Sequence, residues 1–579
     1  MDRKNTILAA GVPAIRVADC AHNAAAIIEL MREAAERGAG VLVFPELCIT
    51  GATCGDLFWQ ETLLDGAWEG LQQIAEASAN LSLLTVVGLP MRGEGGIYNC
   101  AALVMGGEAL AFVPKWGLSV EERRWFTPGD GDERDFRCSL LPGRSIRVAF
   151  GGEDPREADL ILSPAADAEW SGRGGERRRE AERISREAGA VFIRATAGEG
   201  ESTTDLVFGG HCLIARGGCV EAERRFACGL TLWEGEVGGL TPCTLPPEER
   251  SFLLSDAPFL PREEEGLEEI LTLAALGLKK RLEHTRASAA VIGLSGGLDS
   301  TLAILTAVRA FDLLGLDRKG ILAVTMPCFG TTSRTRSNAE KLALALGTEL
   351  RVVDISAAVR QHLADIGHSE EDHSVTYENA QARERTQVLM DLSNKVGGPV
   401  IGTGDLSELA LGWCTYNGDH MSMYAVNSGI PKTLMRHLTA YEAERLGGEL
   451  AAVLRDILDT PVSPELLPPK DGEIAQRTED LVGPYEIHDF YLYYAVGEGL
   501  RPRRVLELAE RALGDRYDRD TLLKWLVSFY RRFFAQQFKR SCMPDGPRVI
   551  RLSLSPRGGW QMPSDGVAAL WLKELEELK

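Results

Sequence analysis

Along this chain, short unbroken apolar runs alternate with longer stretches in which apolar residues return every three or four positions. TILAAGVPAIRV (6–17), GVLVFPE (40–46), LLTVVGLP (83–90) and AVFIRATAG (190–198) have the length and branching of buried strands. HNAAAIIELMREAAERG (22–38) instead carries a helical stripe that ends at Gly38. Strand and helix in alternation predict an α/β domain over residues 1–249. Prolines and acids then break the periodicity in TPCTLPPEERSFLLSDAPFLPREEEG (241–266), which places a linker at 250–266. The pattern restarts at Leu267 with helix LTLAALGLKKRL, strand AAVIGLS, a helix after Asp299 and strand GILAVTMP. Helix SNAEKLALALG and strands ELRVVDI and GPVIGTGD follow. This order predicts a doubly wound parallel sheet within 267–579. The late stretch DRDTLLKWLVSFYRRFFAQQFKR (518–540) reads as a helical tail.

Composition narrows the setting. A chain of 579 residues exceeds what one core holds, so two or more domains are expected. Its formal charge of −21 argues against a nucleic-acid partner, which calls for phosphate-neutralising cations. No apolar run approaches the ~20 residues of a membrane span, and MDRKNTILAAG lacks a full signal-peptide core. A cytoplasmic protein with no membrane partner is the expectation. The 12 cysteines contain no CxxC pair, so they read as reduced thiols and not as a disulfide frame or a metal cluster.

The sharpest chemical signal is GLSGGLDST (293–301), a Gly-containing turn between an apolar strand and a helix. Glycines let the backbone come close to an anion, and the free N–H groups and dipole at a helix start attract phosphate oxygens. Ser295 and Ser300 add hydroxyls. Asp299 would repel a phosphate unless a cation lay between them, which implies Mg²⁺. The Walker pattern is absent. Two glycines alone equally suit an ordinary strand–helix turn; Ser-Gly-Gly-x-Asp-Ser behind a strand is more specific, and resembles the pyrophosphate loop of the N-type ATP pyrophosphatases.

Longer segments sharpen the resemblance. MPCFGTTSRTRSNA (326–339), TYENAQARERTQVLMDLSN (376–394), GTGDLSELALGWCTYNGDHMSMYAVNSGIPKTL (402–434), DTPVSPELLPP (459–469), TEDLVGPYEIHDFYL (478–492), QQFKRSCMPDGP (536–547) and SPRGGWQMPSD (555–565) are similar to the large glutamine-dependent type of NAD⁺ synthetase. The resemblance implies an adenine nucleotide α-hydrolase-like domain that joins ammonia to deamido-NAD⁺ at the expense of ATP, through an acyl-adenylate. It assigns Ser295, Gly296, Gly297, Asp299 and Ser300 to ATP phosphates and metal, Glu408 to a second Mg²⁺ carboxylate, and Thr403 to the adenylate. It further assigns Asp419 and Lys432 to the dinucleotide and the reacting carboxylate. Asn379, Arg383 and Arg385 offer polar groups from one helix, although residues two apart cannot share a face. Arg334 is read as an ATP contact, Ser463 as a phosphate contact and Lys539 as a cation on a closing loop.

The N-terminal half resembles the nitrilase-like glutaminase domain fused to that synthetase, and the resemblance implies an αββα sandwich. VLVFPELCITGATCGDLF (41–58) supplies Glu46 in the position of the base, and AFVPKWGLSVEERRWFTPG (111–129) supplies Lys115 in that of the oxyanion-stabilising lysine. The segment that should hold the cysteine reads AFGGEDPREADLIL (149–162), and aligning Glu153 and Asp154 puts Gly152 at the nucleophile. Glycine carries no nucleophile for Glu46 and Lys115 to activate. The expectation is therefore an NAD⁺ synthetase fed by free ammonia or by a separate ammonia-supplying partner, with an N-terminal domain kept for assembly into a homo-oligomer, as in its family. Two alternatives stay open: a glutamine-hydrolysing enzyme with an unrecognised nucleophile such as Cys48, Cys54 or Cys138, and a nucleotide-binding pseudoenzyme or scaffold.

Overall fold

The computed structural model describes residues 5–130, 135–152, 158–243, 254–330, 333–460, 466–467 and 478–578. It divides into two compact units, Met1–Ser202 with Val207–Arg250, and Ser251–Lys579 with the short segment Thr203–Leu206.

The first unit holds strands β1 (Thr6–Val12), β2 (Ala39–Val43), β3 (Leu84–Gly93), β4 (Gly96–Met105), β5 (Glu108–Pro114), β6 (Asp135–Phe136), β7 (Ile146–Val148), β8 (Leu160–Ala165), β9 (Val191–Thr196), β10 (Cys212–Arg216), β11 (Cys219–Arg224) and β12 (Gly229–Gly235). They form two six-stranded mixed sheets, in the orders β12-β1-β2-β3-β4-β5 and β11-β10-β9-β8-β7-β6. Alternate residues of each strand serve different cores. Leu8, Val41, Val43 and Val86 of one sheet share a cluster with Val148, Leu160, Leu162 and Ile193 of the other. The residues between them, Ala9, Leu42 and Val87, pack with Ala24, Ile27 and Leu71 of α1 (Cys20–Glu36) and α2 (Glu61–Ala77). On the second sheet Ile161 and Phe192 pack with Ala181 and Ile184 of α3 (Arg173–Glu187). The result is helix–sheet–sheet–helix. Both faces of the central strands are buried, which is why they read as unbroken apolar runs. Strand β1 ends at Val12, earlier than TILAAGVPAIRV suggested, because Pro13 brings no N–H to the ladder.

The second unit is built on five parallel strands in the order β15-β14-β13-β16-β17: β13 (Ala290–Gly293), β14 (Ile321–Thr325), β15 (Glu349–Val352), β16 (Val400–Gly402) and β17 (Tyr424–Ala425). Its helices are α4 (Glu265–Thr285), α5 (Leu298–Leu314), α6 (Ser333–Leu346), α7 (Ser356–Asp365), α8 (Val375–Val396), α9 (Leu406–Leu411), α10 (Lys432–Leu446), α11 (Gly448–Leu458), α12 (Thr478–Val482), α13 (Tyr485–Tyr491), α14 (Pro502–Leu513), α15 (Arg519–Ala535), α16 (Gln537–Arg540) and α17 (Ala569–Glu576). Helices α4, α5, α6, α10 and α11 contribute to the core on one face, while α7 and α8 cover Val291, Leu322 and Val324 on the other. The strand order reverses at β13, so the loops after β13 and β16 diverge and leave a crevice at their carboxyl ends. Both sequence-predicted phosphate and metal segments fall there. No helix among the described residues is long and apolar enough to cross a membrane.

Candidate functional site

The turn after β13 is shaped by Gly296. Its φ is +84°, and a Cβ there would stand 2.1 Å from the Thr335 carbonyl oxygen, so only glycine brings the turn against α6. Gly297 caps α5 in an extended conformation. Ser295 and Ser300 meet through their hydroxyls at 3.1 Å, and the Gly297 amide donates to Ser295 Oγ at 3.2 Å. The hydroxyls therefore share one side of the turn.

The facing wall is assembled by capping. Asp405 precedes α9, and its Oδ1 accepts from the Glu408 amide at 2.8 Å, which fixes Glu408 in the first turn. Lys432 opens α10 and sends its ammonium back to three carboxylates: Asp299 Oδ1 at 2.5 Å, Asp405 Oδ2 at 2.6 Å and Glu408 Oε1 at 3.0 Å. Both Lys432 and Asp405 are buried. Burial raises the carboxyl pKa of Asp405 and Glu408 against the pull of Lys432. Burial works to lower that of Lys432, but its three acidic neighbours outweigh it and hold the ammonium charged. One cation among three carboxylates leaves negative charge uncompensated. Ligand oxygens of Asp299, Asp405 and Glu408 lie within 4.8 Å of one another, a hard-oxygen set that fits Mg²⁺.

Asn427 ties the two walls together. Its buried Nδ2 donates to the Asp299 carbonyl at 2.9 Å and to the Thr403 carbonyl at 3.1 Å. Neither Asp405 nor Asn427 was singled out from the sequence. Asp405 carries a legible signal, an acid just before an apolar helix and three residues ahead of a glutamate; Asn427 carries none.

Asp419 shares a cavity with Glu408, Gly404, Cys414 and Ser428. Asp419 Oδ1 accepts from the Thr415 amide at 2.7 Å, and Thr415 Oγ1 donates to Asn379 at 2.7 Å, so α8 is tied to the loop that carries Asp419. Arg383 Nε donates to the Tyr416 carbonyl and Arg385 Nε to the Met326 carbonyl, both at 3.3 Å, diverging as their spacing requires. Arg334 pairs with Asp456 on α11 at 2.7 Å, and Lys539 Nζ donates to the carbonyls of Gly412 and Cys414 at 2.7 Å, closing the end of α9. Ser463 lies outside the described residues.

In the first unit Glu46 follows β2 and is buried. Lys115 Nζ, just after β5, is 2.9 Å from Glu46 and 2.9 Å from Glu122, and Asn99 donates to Glu46 at 2.7 Å. Burial pushes the Glu46 carboxyl up to about 7 despite Lys115. The Phe150 ring lies 5.9 Å from Lys115 Nζ. Gly152 has φ +84°, and a Cβ there would stand 2.7 Å from Ile184 Cδ1 and 2.9 Å from Arg194 Nη2. Arg194 is itself buried and held by Glu180 at 2.7 Å. Of the nearby thiols, Cys48 and Cys54 are buried against the carbonyls of Gly88 and Thr50, and burial drives both up to about 12. Glu153 and Asp154 lie outside the described residues.

Comparison with known proteins adds to this geometry. Residues 270–512 match the NAD synthase family model and residues 7–155 the carbon-nitrogen hydrolase model. The chain is 36% identical to the glutamine-dependent NAD⁺ synthetase of Mycobacterium bovis, over 97% of this chain and 98% of that one. It superposes with a TM-score of 0.82 on the glutamine-dependent NAD⁺ synthetase of Cytophaga hutchinsonii, at 20% identity over 99% and 100% of the two chains. Against the Acinetobacter baumannii synthetase in complex with ADP the TM-score is 0.68, at 20% identity over 97% and 98%.

Proposed function

The chain belongs to the glutamine-dependent NAD⁺ synthetase family, and from that premise we propose that its second unit makes NAD⁺ from deamido-NAD⁺, ATP and ammonia while its first unit no longer hydrolyses glutamine. The family's reaction is an ATP-dependent amidation that forms a C–N bond. The observation that carries the reading is the convergence of Asp299, Asp405, Glu408 and Lys432 beside the turn of Ser295–Ser300.

A carboxylate is a poor electrophile. In the proposed course an oxygen of the nicotinate carboxylate attacks the α-phosphorus of ATP and pyrophosphate leaves; ammonia then attacks the acyl carbon, loses a proton and expels AMP. Ser295, Gly297 and Ser300 hold phosphate oxygens, and Lys432 supplies a fixed positive charge that is not paid for by reorganisation. Asp299 and Glu408, with Asp405 behind them, would hold Mg²⁺, which neutralises triphosphate charge when bound. Thr403 and Asp419 line the route of the adenylate and dinucleotide, so most of the rate comes from alignment.

Two observations support loss of the glutaminase. A side chain at Gly152 would press on Ile184 and Arg194, and the Phe150 ring packs near the Lys115 ammonium. The Glu46–Lys115–Glu122 group then persists as an ion cluster, one ammonium between a buried and a partly buried carboxylate. For scale, deleting the nucleophile of a serine protease lowers kcat by about 10⁶-fold. We place the protein in the cytoplasm, as a homo-oligomer supplied with free ammonia or with ammonia from a partner enzyme.

Steady-state assays with deamido-NAD⁺, ATP and Mg²⁺ test both halves. With ammonium, NAD⁺, AMP and pyrophosphate should form in equal amounts; with glutamine at matched nitrogen, turnover should stay at background. No AMP with ammonium removes the synthetase reading, whereas brisk turnover on glutamine removes the lost-glutaminase reading alone.

A further inference from the structure

We propose that Asp489 is a positioning residue for the amidation, holding Glu408 and Lys432 in fixed mutual register. The inference rests on the synthetase reading above and names a residue from GPYEIHDFYL that the site itself does not use.

Asp489 lies on α13, and its carboxylate is buried, 2% exposed. Its two oxygens serve two different helices. Oδ1 accepts from Ser407 Oγ on α9, the residue before Glu408. Oδ2 accepts from the Thr433 amide at 2.9 Å and from Thr433 Oγ1 at 2.6 Å on α10, the residue after Lys432. Ser407 Oγ in turn accepts from the Lys432 amide at 2.8 Å. These contacts close a ring through Asp489, Ser407, Lys432 and Thr433. The first turns of α9 and α10 are joined by side-chain bonds at the residues adjoining the metal carboxylate and the lysine.

The ring has a physical logic. The Lys432 and Thr433 amides belong to the first turn of α10, where backbone donors have no partner within the helix. A buried carboxylate meets such donors with charge-assisted bonds and gains from the helix dipole. It accepts only, and all its neighbours here donate, so the arrangement cannot be inverted without leaving groups unpaired. Glu408 Oε1 and Lys432 Nζ are 3.0 Å apart across this joint. A shift of about 1 Å between the two helix starts would misalign the phosphate-neutralising groups, and misplacement on that scale costs on the order of 10²-fold in rate.

The test compares Asp489→Asn, Ser407→Ala, Ser407→Thr and Thr433→Val in the full chain, with NAD⁺ and AMP formation from ammonium as readout and thermal unfolding as control. D489N removes the charge and replaces one acceptor oxygen by a donor, so Ser407 and Thr433 can no longer both donate to it. We expect it to lower kcat by about 10- to 100-fold while the KM values for ATP and deamido-NAD⁺ stay within about threefold. S407A should lower kcat in the same sense, S407T should restore most of it, and S407A combined with D489N should be no slower than D489N alone. A kcat per folded enzyme that stays at the wild-type level in D489N, with only the unfolding midpoint reduced, would overturn the positioning role. Equal losses in S407A and S407T would overturn it too, because packing and not the hydroxyl would then matter. If D489N does not fold, the S407A and S407T pair decides. A wild-type enzyme that makes no AMP would instead sink the synthetase reading on which the inference stands.

Discussion

The Lys432 ammonium stands 2.5 Å from a carboxylate oxygen of Asp299, so the helix that begins at the Ser295–Ser300 turn is held to the start of α10 by a partly buried ion pair. Asp405 and Glu408 share the same lysine. Replacing Lys432 by Met keeps its length and removes its charge. Three carboxylates would then face one another, and breaking a buried pair in this way typically costs about 3–5 kcal/mol. K432M should unfold earlier in urea, regain stability when Mg²⁺ is added, and form AMP at least about 10²-fold more slowly. Normal turnover in K432M would remove the lysine from the phosphate chemistry.

Gly152 yields a prediction of the opposite kind, a substitution that should fail to repair. Gly152→Cys puts a thiol where we propose that the glutaminase nucleophile was lost, and places a Cβ against Ile184 and Arg194, at a φ of +84° that side chains rarely adopt. Arg194 cannot easily withdraw because it is buried and paired with Glu180. We expect G152C to be destabilised by about 1–3 kcal/mol and to release no glutamate from glutamine. Glutamate release from G152C would show that the pocket still accepts glutamine and that only the sulfur is missing.

The centres differ in how far they can be read from the chain alone. The Ser295–Ser300 turn is legible because it is local: strand end, glycines and helix start are consecutive. Glu408 and Lys432 are legible through their flanking segments. Their meeting is not, because it depends on β16 lying beside β13, and strand order is written nowhere in one segment. Asn427 is silent for that reason; its two partners are carbonyls more than 20 residues away in the chain. Arg334 pairs with Asp456 on α11, a partner more than 100 residues away that its motif does not announce. In the first unit the double apolar face of the strands reveals the layers, whereas the crowding of Gly152 comes from Arg194 on β9 and Ile184 on α3, two elements that local pattern does not bring together.

Asn427 supports a third test. Asn427→Leu preserves approximate volume and removes the donors to the Asp299 and Thr403 carbonyls. An unsatisfied buried acceptor costs about 1–3 kcal/mol, and the phosphate turn loses its link to the β16 loop. The expected result is a raised KM for ATP together with a kcat about tenfold lower. An unaltered KM for ATP would mean that the turn holds its shape without the bridge.

His211 links structure to pH. It is fully buried in the first unit, and burial, reinforced by Arg177, Arg225, Arg194 and Arg178, pushes its pKa down to about 3; Glu223 at 2.9 Å does not reverse this. The folded chain keeps the imidazole neutral, while the unfolded chain takes up a proton below an ordinary pKa near 6.5. Stability from this residue is therefore fully present above pH 6.5 and falls as the pH drops, by about 1.4 kcal/mol per pH unit, until the folded value is reached. Between pH 6.5 and pH 5 the loss should be about 2 kcal/mol. His211→Gln removes the titration, so the difference in unfolding free energy between wild type and H211Q should shift in favour of H211Q by that amount over this window. A difference that stays flat from pH 7 to pH 5 would show that the folded chain accepts the proton at His211, with the arginine cluster rearranged around it.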